Sequence, residues 1–294
     1  MTVLITGGGG FLGAWLIKRL TARGLEVRVF DRHQNRDTVR TIAGDIAEQI
    51  DWRVGDVADT ESVSQAAAGC DFAVHLAALL TTECTEAPVL GAQVNLIGTL
   101  NVFEAAKTHG LRGVTYASSA AVYGPESSTD PWPVTHYGAY KLASEGCARA
   151  YWANDGLPSV ALRPLIIYGP GRLTGLTAGP TIACREAAAG RPYTIGYSGA
   201  ADMIFVDDVA AAFEAAVIRP FDGAHAFSLA GELTDMPDLI AAIRKHIPDA
   251  AIDCTGPRIP MTSEMIASDT DAVLGKLPHT SLDEGLARTI AHYR

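Results

Sequence analysis

The sequence predicts an α/β fold in which a doubly wound parallel sheet is followed by a smaller, mixed α/β cap. Over the first two thirds of the chain, short β-rich runs that are apolar on both faces alternate with longer helical stretches. Such strands belong in parallel sheets that helices cover on both sides, and the alternation gives repeated right-handed crossovers. From Gly169 onward glycine and proline become frequent, which indicates loops and a change of architecture.

The predicted elements follow in chain order. Strands are predicted at residues 3–6, 26–30, 51–54, 72–75, 113–117 and 159–162. Helices are predicted at residues 11–23, 89–109, 137–154, 210–218, 238–246 and 282–292. We expect a sheet domain over residues 1–168 and a cap over 169–294, part of which returns to the sheet domain. The cap should close over the carboxyl edge of the sheet, where open α/β folds bind their ligands.

Composition and charge exclude several classes of protein. A chain of 294 residues can bury a large core without disulfides or a structural metal. Its 23 Lys and Arg residues against 33 Asp and Glu give a net charge of −10, which argues against a nucleic-acid partner. No run reaches the roughly 18 apolar residues that cross a bilayer, and no signal peptide is visible. The five cysteines form no CxxC pair and the histidines no HxxxH pair, so we expect no metal site and a cytoplasmic location.

A glycine-rich loop joins the first predicted strand to the first helix. Gly7, Gly10 and Gly13 recur at a spacing of three residues. Glycines at these points serve a sharp turn, a close approach of backbone to a pyrophosphate, and close packing of helix on strand. The helix that begins with Phe11 and Leu12 then presents free N–H groups to the phosphates. The loop therefore predicts a dinucleotide-binding, Rossmann-type sheet.

Acidic residues follow the second and third strands. Asp31 can accept hydrogen bonds from both ribose hydroxyls of the adenosine and would repel a 2′-phosphate, so NAD is favoured over NADP. Arg32 comes next and could instead hold that phosphate. Asp56, with Val57 beside it, would lie near the adenine, although an ordinary turn or a helix cap explains this aspartate equally well.

Further motifs occur in a fixed order along the chain. They lie at residues 75–78 (HLAA), 95–101 (NLIGTLN), 118–124 (SSAAVYG), 137–141 (YGAYK), 163–171 (RPLIIYGPG), 205–210 (FVDDVA) and 274–286. Together with the glycine loop, they resemble the extended short-chain dehydrogenase/reductase family, in its NAD-dependent epimerase/dehydratase group. The resemblance covers almost the whole chain. It implies that NAD is also contacted by Leu76, Ala77, Ala78, Asn95 and Pro164.

The YGAYK segment carries the predicted chemistry. Tyr137 and Lys141 are four residues apart and share one face of a helix. An ammonium there should lower the pKa of the phenol toward neutrality, so that it can take a proton from a substrate hydroxyl as hydride leaves the same carbon. Ser119 can hold the same substrate oxygen, and the resemblance implies that Lys141 also binds the nicotinamide ribose. Tyr140 is a rival phenol, but its partner would be Ser144, which cannot lower its pKa in that way.

Several positions depart from the family pattern. Dehydratases of the family carry an acidic pair where this chain has Ala120 and Ala121, so dehydration is not expected. Enzymes that act on UDP-sugars usually place an asparagine at the position of Ile166 and a diphosphate-binding arginine at the position of Ala201. Other arginines could replace the latter or could be solvated surface residues, namely Arg172, Arg185, Arg191 and Arg258.

These observations lead to a ranked set of functions. We expect an NAD-dependent dehydrogenase that oxidises a secondary hydroxyl of a small carbohydrate-like substrate, such as a sugar, a sugar acid or a polyol. The alternatives are a UDP-sugar 4-epimerase with tightly bound NAD and, more remotely, an NAD-binding sensor without turnover. The expected substrate contacts are Leu80, Thr81, Ser119, Ala120, Ile166 and Arg172.

A homodimer is also predicted. Helices 89–109 and 137–154 carry more apolar surface than one packed face needs, for example at Leu90, Val94 and Trp152. In the family that this chain resembles, the matching helices commonly pair across a two-fold axis.

Overall fold

A computed structural model describes residues 1–259 and 262–294. The strands are β1 Thr2–Thr6, β2 Glu26–Asp31, β3 Asp51–Val54, β4 Phe72–His75, β5 Val114–Ala117, β6 Ser159–Arg163, β7 Ile166–Tyr168, β8 Tyr193–Ile195, β9 Ala200–Phe205, β10 Ala224–Ser228, β11 Glu232–Asp235 and β12 Ile252–Cys254. The helices are α1 Phe11–Ala22, α2 Asp37–Ala43, α3 Thr60–Ala67, α4 Thr81–Glu86, α5 Pro88–Ala92, α6 Gly98–His109, α7 His136–Asp155, α8 Gly179–Ala188, α9 Val206–Ile218, α10 Met236–His246 and α11 Leu282–Tyr293. A π-helical segment, Gln93–Ile97, joins α5 to α6.

The predicted doubly wound sheet is confirmed. Seven strands lie in the order β10-β6-β5-β4-β1-β2-β3, and every neighbouring pair is parallel. All six predicted strands belong to it, within one residue of their expected bounds. The seventh, β10, comes from beyond residue 168 and pairs with β6. The domain boundary at residue 168 itself stays a prediction.

Two apolar clusters cover the two faces of the sheet. Along β1, Val3 and Ile5 belong to one cluster and Leu4 to the other, because successive side chains of a strand point to opposite faces. All three are fully buried. Helices α1, α2 and α9 pack together, as do α3, α6 and α7. Burial on both faces explains why this strand is apolar from Val3 to Ile5.

The cap has its own small sheets. Strand β9 pairs with β7 in parallel and with β11 in antiparallel fashion, and β12 pairs with β8. Helices α8, α10 and α11 pack on these strands and on one another. The mixed architecture predicted for this part is therefore confirmed. Among the helices that the structure describes, none is long and apolar enough to cross a membrane.

Candidate active site

Two adjoining cavities open at the carboxyl edge of the large sheet. The first lies over the glycine loop and the ends of β2 and β3, and the second lies over the end of β5 and the start of α7. Leu76 and Ala78, which follow β4, belong to the walls of both. The two cavities therefore form one cleft. We call the first the cofactor cavity and the second the catalytic cavity.

Most predicted cofactor contacts line the cofactor cavity. Those in its wall are Gly7, Gly10, Asp31, Arg32, Asp56, Val57, Leu76, Ala77 and Ala78. Leu12 and Pro164 line the catalytic cavity instead. Sequence reasoning missed Phe30, Gly55, Leu79 and Val94, which complete the wall of the cofactor cavity. No motif signals them, because they are ordinary members of a strand end, a turn, a loop and a helix.

The glycine loop adopts the shape that its spacing predicts. Gly7 has φ +69°, and a Cβ there would lie 2.6 Å from the backbone nitrogen of Ala77. A Cβ on Gly13 would lie 2.5 Å from the carbonyl oxygen of Gly8, so helix α1 packs directly on the loop. Among the described residues no side chain caps the start of α1 at Gly10. The first turn of this helix is therefore suited to a pyrophosphate, and the cradle fits a dinucleotide.

The strand-end carboxylates hold the loop as well as lining the cavity. The backbone nitrogen of Gly9 donates to Asp31 Oδ2 at 3.1 Å, and that of Arg32 donates to Asp31 Oδ1 at 2.7 Å. Asp56 accepts from Ala58 at 2.9 Å, so it forms a turn as well as lining the wall. The residue that caps the N-terminus of helix α3 is Asp59 rather than Asp56.

The residues predicted for catalysis meet at the catalytic cavity. Thr135 caps α7 by accepting from the backbone of Gly138 at 3.1 Å, which places Tyr137 in the first helical turn. A Cβ on Gly138 would lie 2.0 Å from the carbonyl oxygen of Ala121, so the helix is drawn close to the segment that follows β5. Ser119, Tyr137 and Lys141 all line the cavity in consequence.

Lys141 is fixed beneath the phenol. Its Nζ donates to the carbonyl oxygen of Ala117 at 2.6 Å and lies 5.5 Å from the centroid of the Tyr137 ring. The ammonium therefore faces the ring, and burial lowers its pKa to about 8.

The pKa of the phenol differs from the sequence expectation, which was a shift toward neutrality. Burial raises the pKa of Tyr137 to about 12, and the Ser119 hydroxyl and the charge of Arg172 only partly oppose this. The expectation was wrong for the protein alone because removal from water outweighs the neighbouring charges. In the protein alone, the neutral form of the phenol is therefore favoured.

The rival phenol is accounted for by the fold. Tyr140 donates its hydroxyl proton to the carbonyl oxygen of Pro88 at 2.8 Å, and Ser144 bonds the backbone of Tyr140 rather than its ring. Tyr140 is also outside the wall of the catalytic cavity. The hydroxyl therefore joins α7 to α5, and Tyr137 is the phenol that faces the cavity.

The structure corrects two of the predicted substrate contacts. Ala120 and Ile166 are fully buried and lie outside the cavity wall. Leu165 and Ile167, the chain neighbours of Ile166, line the cavity in its place. Ile167 faces the cavity while Ile166 does not because side chains alternate along β7.

The other predicted substrate contacts, which are Leu80, Thr81, Ser119 and Arg172, do line the cavity. Sequence reasoning missed Leu176 and Thr177, which line it from the loop after Gly175.

Two further predicted cofactor residues act from behind the walls. Asn95 is fully buried, and its amide exchanges two hydrogen bonds of 2.8 Å with the backbone of Leu79, a wall residue. Phe11 lies under the guanidinium of Arg172, with 5.8 Å between the ring centroid and Cζ. Both therefore position wall residues.

A buried ion pair ties the elements around the catalytic cavity together. Arg163 at the end of β6 donates through Nε to Glu145 of α7 at 2.7 Å and also pairs through Nη2. Ser118, next to Ser119, donates to the same carboxylate at 2.6 Å. Glu145 is 1% exposed, so this network fixes strand β5, strand β6 and helix α7 relative to one another.

Both the sequence and the fold are similar to those of known proteins. The family model described as "NAD dependent epimerase/dehydratase family" matches residues 3–230. A UDP-glucose 4-epimerase of Mycolicibacterium smegmatis is 30% identical over 311 residues, which cover 100% of this chain and 99% of the relative. A 2-alkyl-3-oxoalkanoate reductase of Stenotrophomonas maltophilia is 35% identical, over 58% of this chain and 52% of its own. The UDP-glucose 4-epimerase of Thermus thermophilus, solved with NAD, is 27% identical with a TM-score of 0.82, over 100% of this chain and 99% of its own.

Proposed function

The chain belongs to the NAD-dependent epimerase/dehydratase family, and we propose that Tyr137 removes the proton from a secondary hydroxyl group of its substrate while NAD accepts hydride from the same carbon. One observation carries the proposal. Ser119, Tyr137 and Lys141 line a single cavity, and that cavity adjoins the one over the glycine loop. This arrangement supports a general base next to the site that suits a dinucleotide.

Each of the three side chains has a distinct part in this step. Ser119 donates a hydrogen bond to the substrate oxygen and so holds it at the phenol. Tyr137 exchanges the proton with that oxygen. Lys141, held on the carbonyl of Ala117, places a positive charge under the phenol and is in position to bind the nicotinamide ribose. The strand-end carboxylate of Asp31 would bind the adenosine ribose.

The comparisons change the order of the candidate functions. From the sequence alone a net dehydrogenase ranks first, but two relatives that match over the whole chain are UDP-glucose 4-epimerases. We therefore propose a nucleotide-sugar 4-epimerase as the first candidate. In that reaction the oxidised sugar would rotate in the cleft, and the hydride would return to the opposite face of the same sugar carbon. Tyr137 would then give the proton back to the sugar oxygen.

A net dehydrogenase acting on a substrate without a nucleotide is the second candidate. Ile166 and Ala201 replace the asparagine and arginine that enzymes acting on UDP-sugars usually carry, and they are 0% and 1% exposed. Neither can contact a uridine diphosphate. A dehydrogenase would release NADH and the ketone instead of returning the hydride.

Product analysis separates the two candidates. The enzyme is incubated with NAD and, in separate reactions, with UDP-glucose, UDP-galactose, UDP-glucuronate, glucuronate and gluconate. Formation of the epimer without free NADH supports the epimerase, whereas accumulation of NADH with a ketone or lactone product supports the dehydrogenase. If no member of the panel reacts in either way, the proposed carbohydrate substrate class is wrong.

The predicted homodimer stays a proposal. Val89, Leu90 and Ile97 are 75%, 46% and 44% exposed on the segment from α5 to α6, and Trp152 is 36% exposed on α7. Pairing of these helices in two copies would bury that apolar surface. Light scattering at micromolar concentration should give twice the monomer mass of 31.0 kDa, and a mass of 31.0 kDa would remove the proposal.

A further inference from the structure

Arg172 has an unused hydrogen-bond donor at the catalytic cavity. Its Nη2 donates to Thr177 Oγ1 at 2.9 Å, and Cζ lies 5.8 Å from the centroid of the Phe11 ring. Its Nε is buried and has no hydrogen-bond partner among the residues that the structure describes. Leaving a charged donor buried and unpaired is unfavourable, so this site is incomplete without a further acceptor.

The charged side chains in the wall of the catalytic cavity are positive. Lys141 and Arg172 are the charged side chains of the wall within residues 1–259 and 262–294, and no carboxylate lies among the other wall residues of those ranges. Lys141 already donates to the carbonyl of Ala117. The rest of the wall is mainly apolar, for example at Leu80, Leu165 and Leu176. Arg172 is therefore the cation that is left for a substrate group.

The loop that carries Arg172 is shaped to direct it inward. Gly171 and Gly175 have φ of +97° and +94°, a region that favours glycine. A Cβ on Gly175 would lie 2.9 Å from Leu80 Cδ1 and 3.7 Å from Arg172 Nη2. The loop thus packs against the cavity wall next to the guanidinium of Arg172. Thr177 and Phe11 hold the orientation of that guanidinium.

We propose that Arg172 selects a substrate that carries a carboxylate close to the reacting hydroxyl group, as in a hydroxy acid or a uronic acid. Nη2 has two N–H groups, and one of them serves Thr177. The other, together with Nε, forms a side-on fork that matches the two oxygens of a carboxylate. A phosphate group would need more donors than the mainly apolar wall around this fork provides.

The inference rests on the proposed function, but its test does not require turnover. The enzyme is loaded with NADH, which cannot accept a hydride, and substrate pairs are titrated by calorimetry. The pairs are glucuronate with glucose and UDP-glucuronate with UDP-glucose, each differing by a carboxylate in place of a hydroxymethyl group. In at least one pair the acid should bind at least about tenfold more tightly than its neutral partner. Charge-assisted hydrogen bonds from the fork are strong enough to give this difference in affinity.

Two variants and a control assign that preference to Arg172. Arg172→Gln should weaken binding of the acid by about 30-fold and abolish the preference, and Arg172→Lys, which keeps the charge but loses the fork, should give an intermediate loss. Arg191, a mainly exposed arginine of the cap that pairs with Glu186, provides the matched control. Arg191→Gln should leave the preference unchanged.

Three outcomes would overturn the proposal. The acid and its neutral partner could bind equally in both pairs, or Arg172→Gln could weaken both members of a pair by the same factor. The variant could also weaken the binding of NAD, measured by titration of the free enzyme, which would assign Arg172 to the cofactor phosphates. An Arg172-dependent preference without epimer or NADH formation would instead leave this inference standing and remove the proposed function.

Discussion

The cofactor cavity and the catalytic cavity are neighbours in one cleft, yet they are built from different parts of the chain. The wall of the first is mainly backbone and carboxylates at strand–helix junctions, as at Gly7 and Asp31. The wall of the second is mainly side chains from α7 and from the loop after β7, as at Tyr137 and Arg172. Substitutions in the cofactor cavity should therefore alter which cofactor binds. Substitutions in the catalytic cavity should alter which substrate binds and which reaction is catalysed.

The largest expected effect separates the two tyrosines of α7. Tyr137→Phe should lower kcat by about 10³-fold, because positioned proton transfer contributes about 10²–10⁴-fold, while the affinity for NAD changes little. Tyr140→Phe removes a hydroxyl that bonds Pro88 outside the cavity and should lower kcat by only a few-fold. Steady-state kinetics and NAD titration of both variants provide the measurement. Equal losses in the two variants would contradict the assignment, and unchanged function in Tyr137→Phe would favour the NAD-binding sensor.

The frame of the catalytic cavity should depend on the buried ion pair. Glu145→Ala leaves the guanidinium of Arg163 buried without its partner and should lower the free energy of unfolding by about 3–5 kcal/mol. Glu48, whose pair with Arg40 is more than half exposed on both sides, is the control. Glu48→Ala should cost less than about 1 kcal/mol in the same urea titration. Similar losses for both pairs would show that Glu145 does not fix the frame.

His75, behind the cofactor cavity, should make stability depend on pH. Its ring nitrogens lie 2.7 Å from Thr6 Oγ1 and 3.0 Å from Thr99 Oγ1. Burial, and to a smaller extent the charge of Lys141, lowers its pKa from 6.5 to about 3. The unfolded chain binds the proton more readily, so stability contributed by this residue is present above pH 6.5 and is lost as the pH falls toward 3.

The contribution of His75 is measured as a difference. Between pH 6 and 4 the wild type should lose up to about 1.4 kcal/mol per pH unit more than His75→Gln, whose side chain does not titrate. Urea titrations of the two proteins at each pH give this value. Parallel pH profiles would mean that folding does not lower the pKa of the His75 ring.

The smallest expected effect concerns the choice of cofactor. Asp31 lines the cofactor cavity at the end of β2, where its carboxylate would repel a 2′-phosphate. The wild type should use NAD with a kcat/KM at least about tenfold above that for NADP. Asp31→Ala should narrow this ratio, and Arg32 could then reverse it by binding the phosphate. Asp56→Ala, a change at the same cavity, should alter the ratio less. Equal use of the two cofactors by the wild type would contradict the role given to Asp31.

The sequence predicted the cofactor side of the cleft better than the substrate side. The strands of the large sheet and the glycine loop follow from local patterns, and so does the shared helical face of Tyr137 and Lys141. The walls of the catalytic cavity do not, because they depend on long-range placement. Ile166 was assigned to the substrate, but the side-chain alternation of β7 turns it into the core and brings Ile167 to the cavity.

Burial is the second quantity that the sequence could not supply. The spacing of Tyr137 and Lys141 suggested that charge would control the pKa of the phenol, but burial raises it instead. The unpartnered Nε of Arg172 is likewise invisible in the sequence, where this residue was one of several arginines with an open role. Such features depend on which groups the fold removes from water.

The transfer of deuterium tests the central claim most directly. The claim is that hydride passes within this cleft from the substrate carbon beside Tyr137 to NAD. The member of the substrate panel that reacts is deuterated at the carbon that is oxidised, and the nicotinamide and the product from the quenched complex are analysed by mass spectrometry. For the wild type we predict deuterium in the nicotinamide ring of the reduced cofactor if the enzyme is a dehydrogenase, and deuterium retained at the inverted carbon of the product if it is an epimerase. Both products should be almost absent for Tyr137→Phe. Release of the deuterium to solvent, with none in the nicotinamide or in the product, would contradict the account.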